Sequence, residues 1–255
     1  EYVKSAPNDY AFATYTSGTT GKPKGVLQIQ AALLASYDAR HRFNPYQGQE
    51  RVACNVFFMW EILRPLLVGG TTIVIPDALL AMPKKLANFL FDNNVTEVLF
   101  TPSAFQRLIR SVPAVELRTQ LAGLRTIWLN GEVVTTKLVK EALEMIPSHI
   151  KLLNTYSICQ CHDVSNADLK SLNYTEIEKQ NEGICPVGYA DQGVIVKVKN
   201  DDGLHNTGKG ELYISGHGLG PGYLHLEKLT AERFPMVDGQ RYYATGDLAE
   251  LSSEG

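Results

Sequence analysis

Hydrophobic and polar positions change period repeatedly along the first two-thirds of the chain. Short β-branched or aromatic runs at residues 11–14, 25–29, 51–57, 71–75, 95–100, 124–129 and 150–153 read as strands. Between them lie stretches of helical spacing at 31–43, where Leu33, Leu34 and Tyr37 recur, and at 60–68, 102–112 and 135–145. A further helix is predicted from Pro83, with Leu86, Phe89 and Leu90 on successive turns and proline acceptable in its first turn. Strand, helix, strand at this spacing predicts an α/β fold of mostly parallel sheets with helices on both faces. Ligands of such sheets sit beyond the carboxyl ends of the strands, so the loops after Thr14, Leu129 and Leu153 are the expected place for chemistry. From about Gly183 the pattern becomes β-rich. Strands are predicted at 194–198 and 211–214, with turns at 201–203 and 208–210, which suggests a distorted-barrel layer. The expected division is therefore 1–182 and 183–255.

Composition narrows the function. The 255 residues are 44% hydrophobic and 20% charged, ordinary for a globular protein, and the net charge of -3 supplies no basic field for nucleic acid. The apolar stretch 66–82 is interrupted by Gly69-Gly70, Thr71-Thr72, Pro76 and Asp77, so no membrane span is expected. Cys54, Cys159, Cys161 and Cys185 lack metal-ligand spacing and read as reduced, buried thiols in a cytoplasmic setting. The start, Glu1-Tyr2-Val3-Lys4, has no initiator methionine and no signal-peptide character, which suggests a piece of a longer protein.

The chemistry concentrates in Tyr15-Thr16-Ser17-Gly18-Thr19-Thr20-Gly21-Lys22-Pro23-Lys24-Gly25. Glycines let a backbone approach a ligand closely, and consecutive N–H groups in such a loop make an anion-binding concavity. The hydroxyls add neutral donors and the two lysines add positive charge, so the loop suits nucleotide phosphates. It is not a Walker loop: Gly18 and Gly21 stand too close, and Pro23 follows Lys22 where Ser or Thr is required.

This string resembles the phosphate loop of the adenylate-forming superfamily, which holds acyl-CoA synthetases, luciferases and peptide-synthetase adenylation domains. Two further stretches carry the resemblance in the family's order: Gly210-Glu211-Leu212-Tyr213-Ile214-Ser215-Gly216 followed by Gly218, Gly220 and Gly222-Tyr223-Leu224, and then Tyr243-Ala244-Thr245-Gly246-Asp247-Leu248. Trp60-Glu61 and Gly222-Tyr223-Leu224 lean towards the peptide-synthetase type. The resemblance implies ATP-dependent activation of a carboxylic acid as an acyl-adenylate, with Mg²⁺, and transfer to a carrier-protein phosphopantetheine or to coenzyme A. It assigns nucleotide contacts to Thr16, Ser17, Gly18, Thr19, Thr20, Gly21, Lys22 and Lys24, to Asn130, Gly131 and Glu132, and to Asn154, Tyr156, Ser157 and Cys159. Asp247 would take the ribose hydroxyls, which a carboxylate with two acceptor oxygens suits. It also implies that the catalytic lysine lies on a small C-terminal domain, so the chain is expected to be incomplete for full turnover.

Several positions depart from the family pattern, and three of them bear on the chemistry. Its Asn-x-Tyr-Gly-Pro-Thr-Glu stands here as Asn154-Thr155-Tyr156-Ser157-Ile158-Cys159-Gln160, which puts a weak donor where Thr reaches the α-phosphate and a neutral amide, Gln160, at the metal position. A nucleotide-binding but catalytically silent module is the alternative this raises. In the acid pocket, Val56 replaces the aspartate that would pair an α-ammonium, so an ordinary α-amino acid is disfavoured. By the same correspondence the pocket is lined by Val56, Phe57, Trp60, Leu99, Trp128, Asn130, Thr155, Asp163 and Val164. Aromatic rings with one carboxylate suit a betaine, and the apolar walls equally suit keto, hydroxy or aliphatic acids.

Overall fold

The computed structural model describes residues 4–16, 23–55, 60–180 and 182–253. In chain order the strands and helices begin with β1 (Tyr10–Thr16), β2 (Lys24–Ile29), α1 (Gln30–Phe43), β3 (Arg51–Asn55) and β4 (Thr71–Ile75). They continue with α2 (Asp77–Leu80), α3 (Pro83–Asp92), β5 (Glu97–Phe100), α4 (Pro102–Ser111), α5 (Ala114–Gln120), β6 (Thr126–Leu129) and α6 (Thr136–Met145). Next come β7 (Lys151–Ile158), β8 (His162–Asp168), α7 (Tyr174–Gln180), β9 (Tyr189–Ala190), β10 (Val194–Asn200), β11 (Gly203–His205) and β12 (Gly208–Gly216). The chain closes with β13 (Gly222–Tyr223), α8 (Glu227–Arg233), β14 (Met236–Val237), β15 (Gln240–Arg241) and β16 (Tyr243–Leu251).

By packing, the chain divides into two compact units of discontinuous segments. One holds Glu1–Asn44, Ser157–Ser165 and Tyr189–Gly255; the other holds Pro45–Tyr156 and Asn166–Gly188. A cut at 182/183 follows composition, whereas this partition follows space.

The second unit is built on parallel strands in the order β4-β3-β5-β6-β7. Successive side chains of a strand point to opposite faces. One face buries Val98, Phe100, Ile127, Leu129 and Leu152 against α3, α4, α5 and α6, which contribute Leu86, Leu90, Phe105, Leu108, Leu117, Leu138 and Val139. Each such side chain contributes about 1.5–3 kcal/mol through burial. Two of these helices start on threonine caps: Thr101 accepts from Ala104 N at 3.3 Å and Thr135 from Leu138 N at 3.2 Å. The other face holds Leu99, Trp128 and Leu153.

The predicted helix at 60–68 is not a continuous α-helix, and residues 60–62 are a 3₁₀ segment. Leu66–Val68 forms a 3₁₀ turn, Pro65 immediately before it lacks an N–H, and Gly69 adopts a positive φ. Residues 208–210 are not a turn either; they open β12, after bends at Asn206 and Thr207 where the chain crosses from one edge of β10 to the other.

In the first unit, β1 and β2 form an antiparallel pair with Thr16 opposite Lys24, and β13 pairs with the other edge of β2. A second sheet runs β11-β10-β12-β16, all antiparallel, which is the β-rich layer expected beyond Gly183.

Candidate functional site

The second face of the parallel sheet is layered. Leu99, Trp128 and Leu153 are in register across β5, β6 and β7, and Trp60 packs against them. One step towards the amino ends of the strands, Glu97 is buried and receives Arg64 at 2.7 Å. Arg64 also binds Glu61 at 2.9 Å and donates to the Tyr46 hydroxyl at 2.8 Å. The neighbours Trp60 and Glu61 therefore serve two adjacent rows, one apolar and one ionic. One step towards the carboxyl ends stand Asn130 and Thr155. Asn130 Nδ2 donates to the Thr155 carbonyl at 3.0 Å, and Thr155 Oγ1 is buried with no hydrogen-bond partner among the described residues. Leaving a hydroxyl buried and unpaired costs about 1–3 kcal/mol, so this atom is the part of the row best explained by a ligand.

The strand ends carry the predicted nucleotide residues of this unit. Gly131 has φ +85, the left-handed turn that sharpens the loop after β6. Glu132 accepts from Ser103 N at 2.9 Å and Ser103 Oγ at 2.8 Å, so its carboxylate caps the first turn of α4. Asn154 and Thr155 are buried in β7, and Tyr156 is half-buried.

In the first unit, Thr16 and Lys24 face each other at the open end of the β1–β2 ladder. Ser17, Gly18, Thr19, Thr20, Gly21 and Lys22, like Val56 and Phe57, lie outside the described residues. Lys24 Nζ stands 5.4 Å from the Tyr223 ring centre, a cation–π contact. Asp247 occupies a bulge. Glu211 pairs with Leu248 and Tyr213 with Ala244, so Thr245, Gly246 and Asp247 together face the single residue Leu212. Gly246 takes φ +83 there, and the Thr245 hydroxyl accepts from Asp247 N at 3.0 Å. The bulge presents Asp247 on the surface.

Asp163, expected to line the acid pocket, is engaged by residues of α1. Its carboxylate accepts from Arg40 Nη2 at 2.6 Å, Arg40 Nε at 3.0 Å and Ser36 Oγ at 3.0 Å, all buried. Burial alone would raise its pKa, but the Arg40 guanidinium and the two donors hold it below the ordinary carboxylate value. A carboxylate so engaged does not offer its charge to a substrate cation or to a metal. Val164, beside it, is buried as well. Sequence reasoning passed over Arg40 and Ser36, two polar residues on the buried face of α1 whose partner lies more than a hundred positions away.

The glycine-rich stretch 216–222 is a packing device. A Cβ on Gly218 would stand 2.7 Å from the Cys161 carbonyl, and one on Gly220 would stand 2.6 Å from the Leu27 carbonyl. The segment thereby seats the 159–161 loop, whose sequence departs from the expected pattern.

A model of the family "AMP-binding enzyme" matches residues 1–224. The chain belongs to the AMP-binding enzymes, the adenylate-forming ligases. It is 38% identical over 252 residues to a protein of Emericella nidulans named glycine betaine reductase ATRR, covering 96% of this chain and 19% of that one. It is 30% identical over 266 residues to a dimodular nonribosomal peptide synthase of Bacillus subtilis, covering 98% and 11%. The chain thus spans a small part of the curated relatives it matches. Among solved structures, CmiS6 superposes with a TM-score of 0.83 at 24% identity, covering all of this chain and 61% of that one. The Vibrio cholerae adenylation domain AlmE, solved with glycyl-adenosine-5'-phosphate, gives 0.80 at 22% identity, covering 97% and 47%. These structures share the fold.

AMP-binding enzymes typically use Mg²⁺, and the donor set here bears on how it would be held. Among the described residues, no three His, Cys, Asp or Glu side chains cluster to hold a metal. Gln160 donates its Nε2 to the Tyr223 hydroxyl at 3.1 Å, which leaves Oε1 as its one ligating atom. A cation bound mainly through substrate phosphates and water, with one protein oxygen, fits that set; a carboxylate cage does not. Burial disfavours the thiolate form of the cysteines beside the site. Burial raises Cys159, and burial with the neighbouring Glu61 carboxylate pushes Cys54 up to about 12.

Proposed function

We propose that this chain is the nucleotide- and acid-binding part of a larger enzyme that activates a carboxylic acid with ATP as its acyl-adenylate, releases pyrophosphate and passes the acyl group to a carrier-protein thiol. In this reading residues 1–182 carry nucleotide and acid binding, and 183–255 form the β-rich part that supplies Asp247. Lys24 neutralises phosphate charge, Asp247 accepts from the ribose hydroxyls, and Asn130, Glu132 and Tyr156 flank the adenine. Magnesium, when bound with ATP, would supply further neutralisation of phosphoryl oxygens, and Gln160 Oε1 would be the side-chain atom available to hold it. The chain's own contribution is position and charge rather than acid–base chemistry.

The acid is one without an ordinary α-ammonium. The observation that carries this is the row of Leu99, Trp128 and Leu153 with Trp60 packed on it, topped by the unpartnered Thr155 hydroxyl. Val56 adds no carboxylate, and that of Asp163 is held by Arg40. Tryptophan faces bind quaternary ammonium groups without a counter-charge, by cation–π attraction. The relative named for glycine betaine supports a betaine-type acid.

ATP–pyrophosphate exchange in the full-length parent protein tests the reading. Exchange driven by a betaine and not by the matching α-amino acid is the expected result. Exchange driven only by α-amino acids overturns the acid assignment, and ATP binding without exchange by any acid favours the silent module that Gln160 raises. Transfer to coenzyme A in place of a carrier domain would make the enzyme an acyl-CoA ligase.

A further inference from the structure

The loop 159–161, which joins β7 to β8, carries two of the residues that depart from the family pattern, and its main chain is gripped from outside. Gln28 Nε2 donates to the Cys159 carbonyl. The Gly220 N–H donates to the Gln160 carbonyl at 2.8 Å. The Cys161 carbonyl abuts Gly218 so closely that no side chain fits there. The Gln160 side chain is tied in turn to the Tyr223 hydroxyl.

Gln28 is the unexpected member. It is 1% exposed, the penultimate residue of β2, the central strand of its sheet, where a branched apolar side chain suits the environment better. Its Oε1 is buried with no hydrogen-bond partner among the described residues. A half-satisfied buried amide is poor for folding, and its one bond goes to the 159–161 loop. The same strand starts at Lys24, opposite Thr16, the two residues that flank the glycine-rich loop in sequence. One strand therefore carries the phosphate lysine at its first residue and the grip on a second phosphate-contacting loop four residues later.

We propose that Gln28 is a positioning residue for nucleotide binding: it couples the strand leaving the glycine-rich loop to the Cys159–Gln160 backbone, so that both stand ready for the phosphates. With side chains at 159 and 160 that are weak ligands, placement of that backbone matters more here than the side chains it carries. The proposal rests on the ATP-dependent function above.

The test compares wild-type parent protein with Gln28→Leu, which keeps the volume and removes the amide, and with Tyr223→Phe, which removes only the hydroxyl that receives Gln160. ATP affinity is read by calorimetry, and exchange is measured at varied ATP and at varied acid. For Gln28→Leu we expect about a tenfold or greater loss on the ATP side, with KM for the acid within about twofold and the melting temperature preserved. Tyr223→Phe should move the same parameters by less, and it decides the matter if Gln28→Leu does not fold. A folded Gln28→Leu protein with wild-type ATP affinity and exchange overturns the proposal. So does an equal loss for ATP and acid that follows the melting temperature, which would mark a purely structural role. Wild-type protein that binds no ATP overturns the functional reading as well, which separates the two failures.

Discussion

Two loops that each follow a strand of the parallel sheet are fixed in opposite ways. The Asn130–Glu132 loop fixes itself: Asn130 reaches the Thr155 carbonyl, Glu132 reaches the first turn of α4, and Gly131 supplies the turn. The 159–161 loop is fixed by others, through Gln28, the 218–220 glycines and Tyr223, and it continues into Asp163, which Arg40 and Ser36 anchor. A loop that holds itself announces its fastening in its own sequence. A loop held from outside can change its own side chains, as Cys159 and Gln160 have, while its backbone stays in place.

The comparison breaks most sharply at Arg40. Arg40→Met leaves Asp163 buried without its counter-charge, and the expected loss is about 3–5 kcal/mol, read by thermal or denaturant unfolding. The double variant Arg40→Met/Asp163→Leu should recover most of it. Acid provides the same test without mutation. Because folding favours the ionised form of Asp163, its contribution is complete above the ordinary value of 3.8 and is lost as the pH falls through the lower folded value. Wild-type stability should therefore drop more steeply than that of the double variant below about pH 4.

Glu132→Ala tests the self-held loop. Its carboxylate is exposed, so losing the two bonds to Ser103 should cost about 1 kcal/mol and speed amide exchange in the first turn of α4. The smallest expected change in stability is that of Gln28→Leu, within about 1 kcal/mol of wild type, because it removes an unsatisfied acceptor together with one good bond. A large loss there would mean that the 159–161 loop is a folding element first.

Much of the α/β framework was legible because β5 and β6 are short, nearly continuous apolar runs buried on both faces, and α4 and α6 repeat apolar positions at the helical period. The strand β8 was not. His162-Asp163-Val164-Ser165-Asn166 is polar along most of its length and yet buried, so hydrophobic pattern has no purchase on it. The helix expected at 60–68 failed because spacing alone was counted and Pro65 was not. At the site, Glu132 and Asp247 were visible inside short local strings. Gln28, Ser36 and Arg40 were not, because each acts on a residue more than a hundred positions away and looks unremarkable among its neighbours.

The chain has two tryptophans, and both belong to the small apolar row on the second face of the sheet. Trp128 is fully buried and Trp60 partly so. All indole emission from this segment therefore originates beside the position assigned to the acid. Binding of a cationic carboxylate over those rings should quench or shift that emission directly, so the chain carries an intrinsic optical probe of its own substrate side, while nucleotide binding alone should leave the signal nearly unchanged.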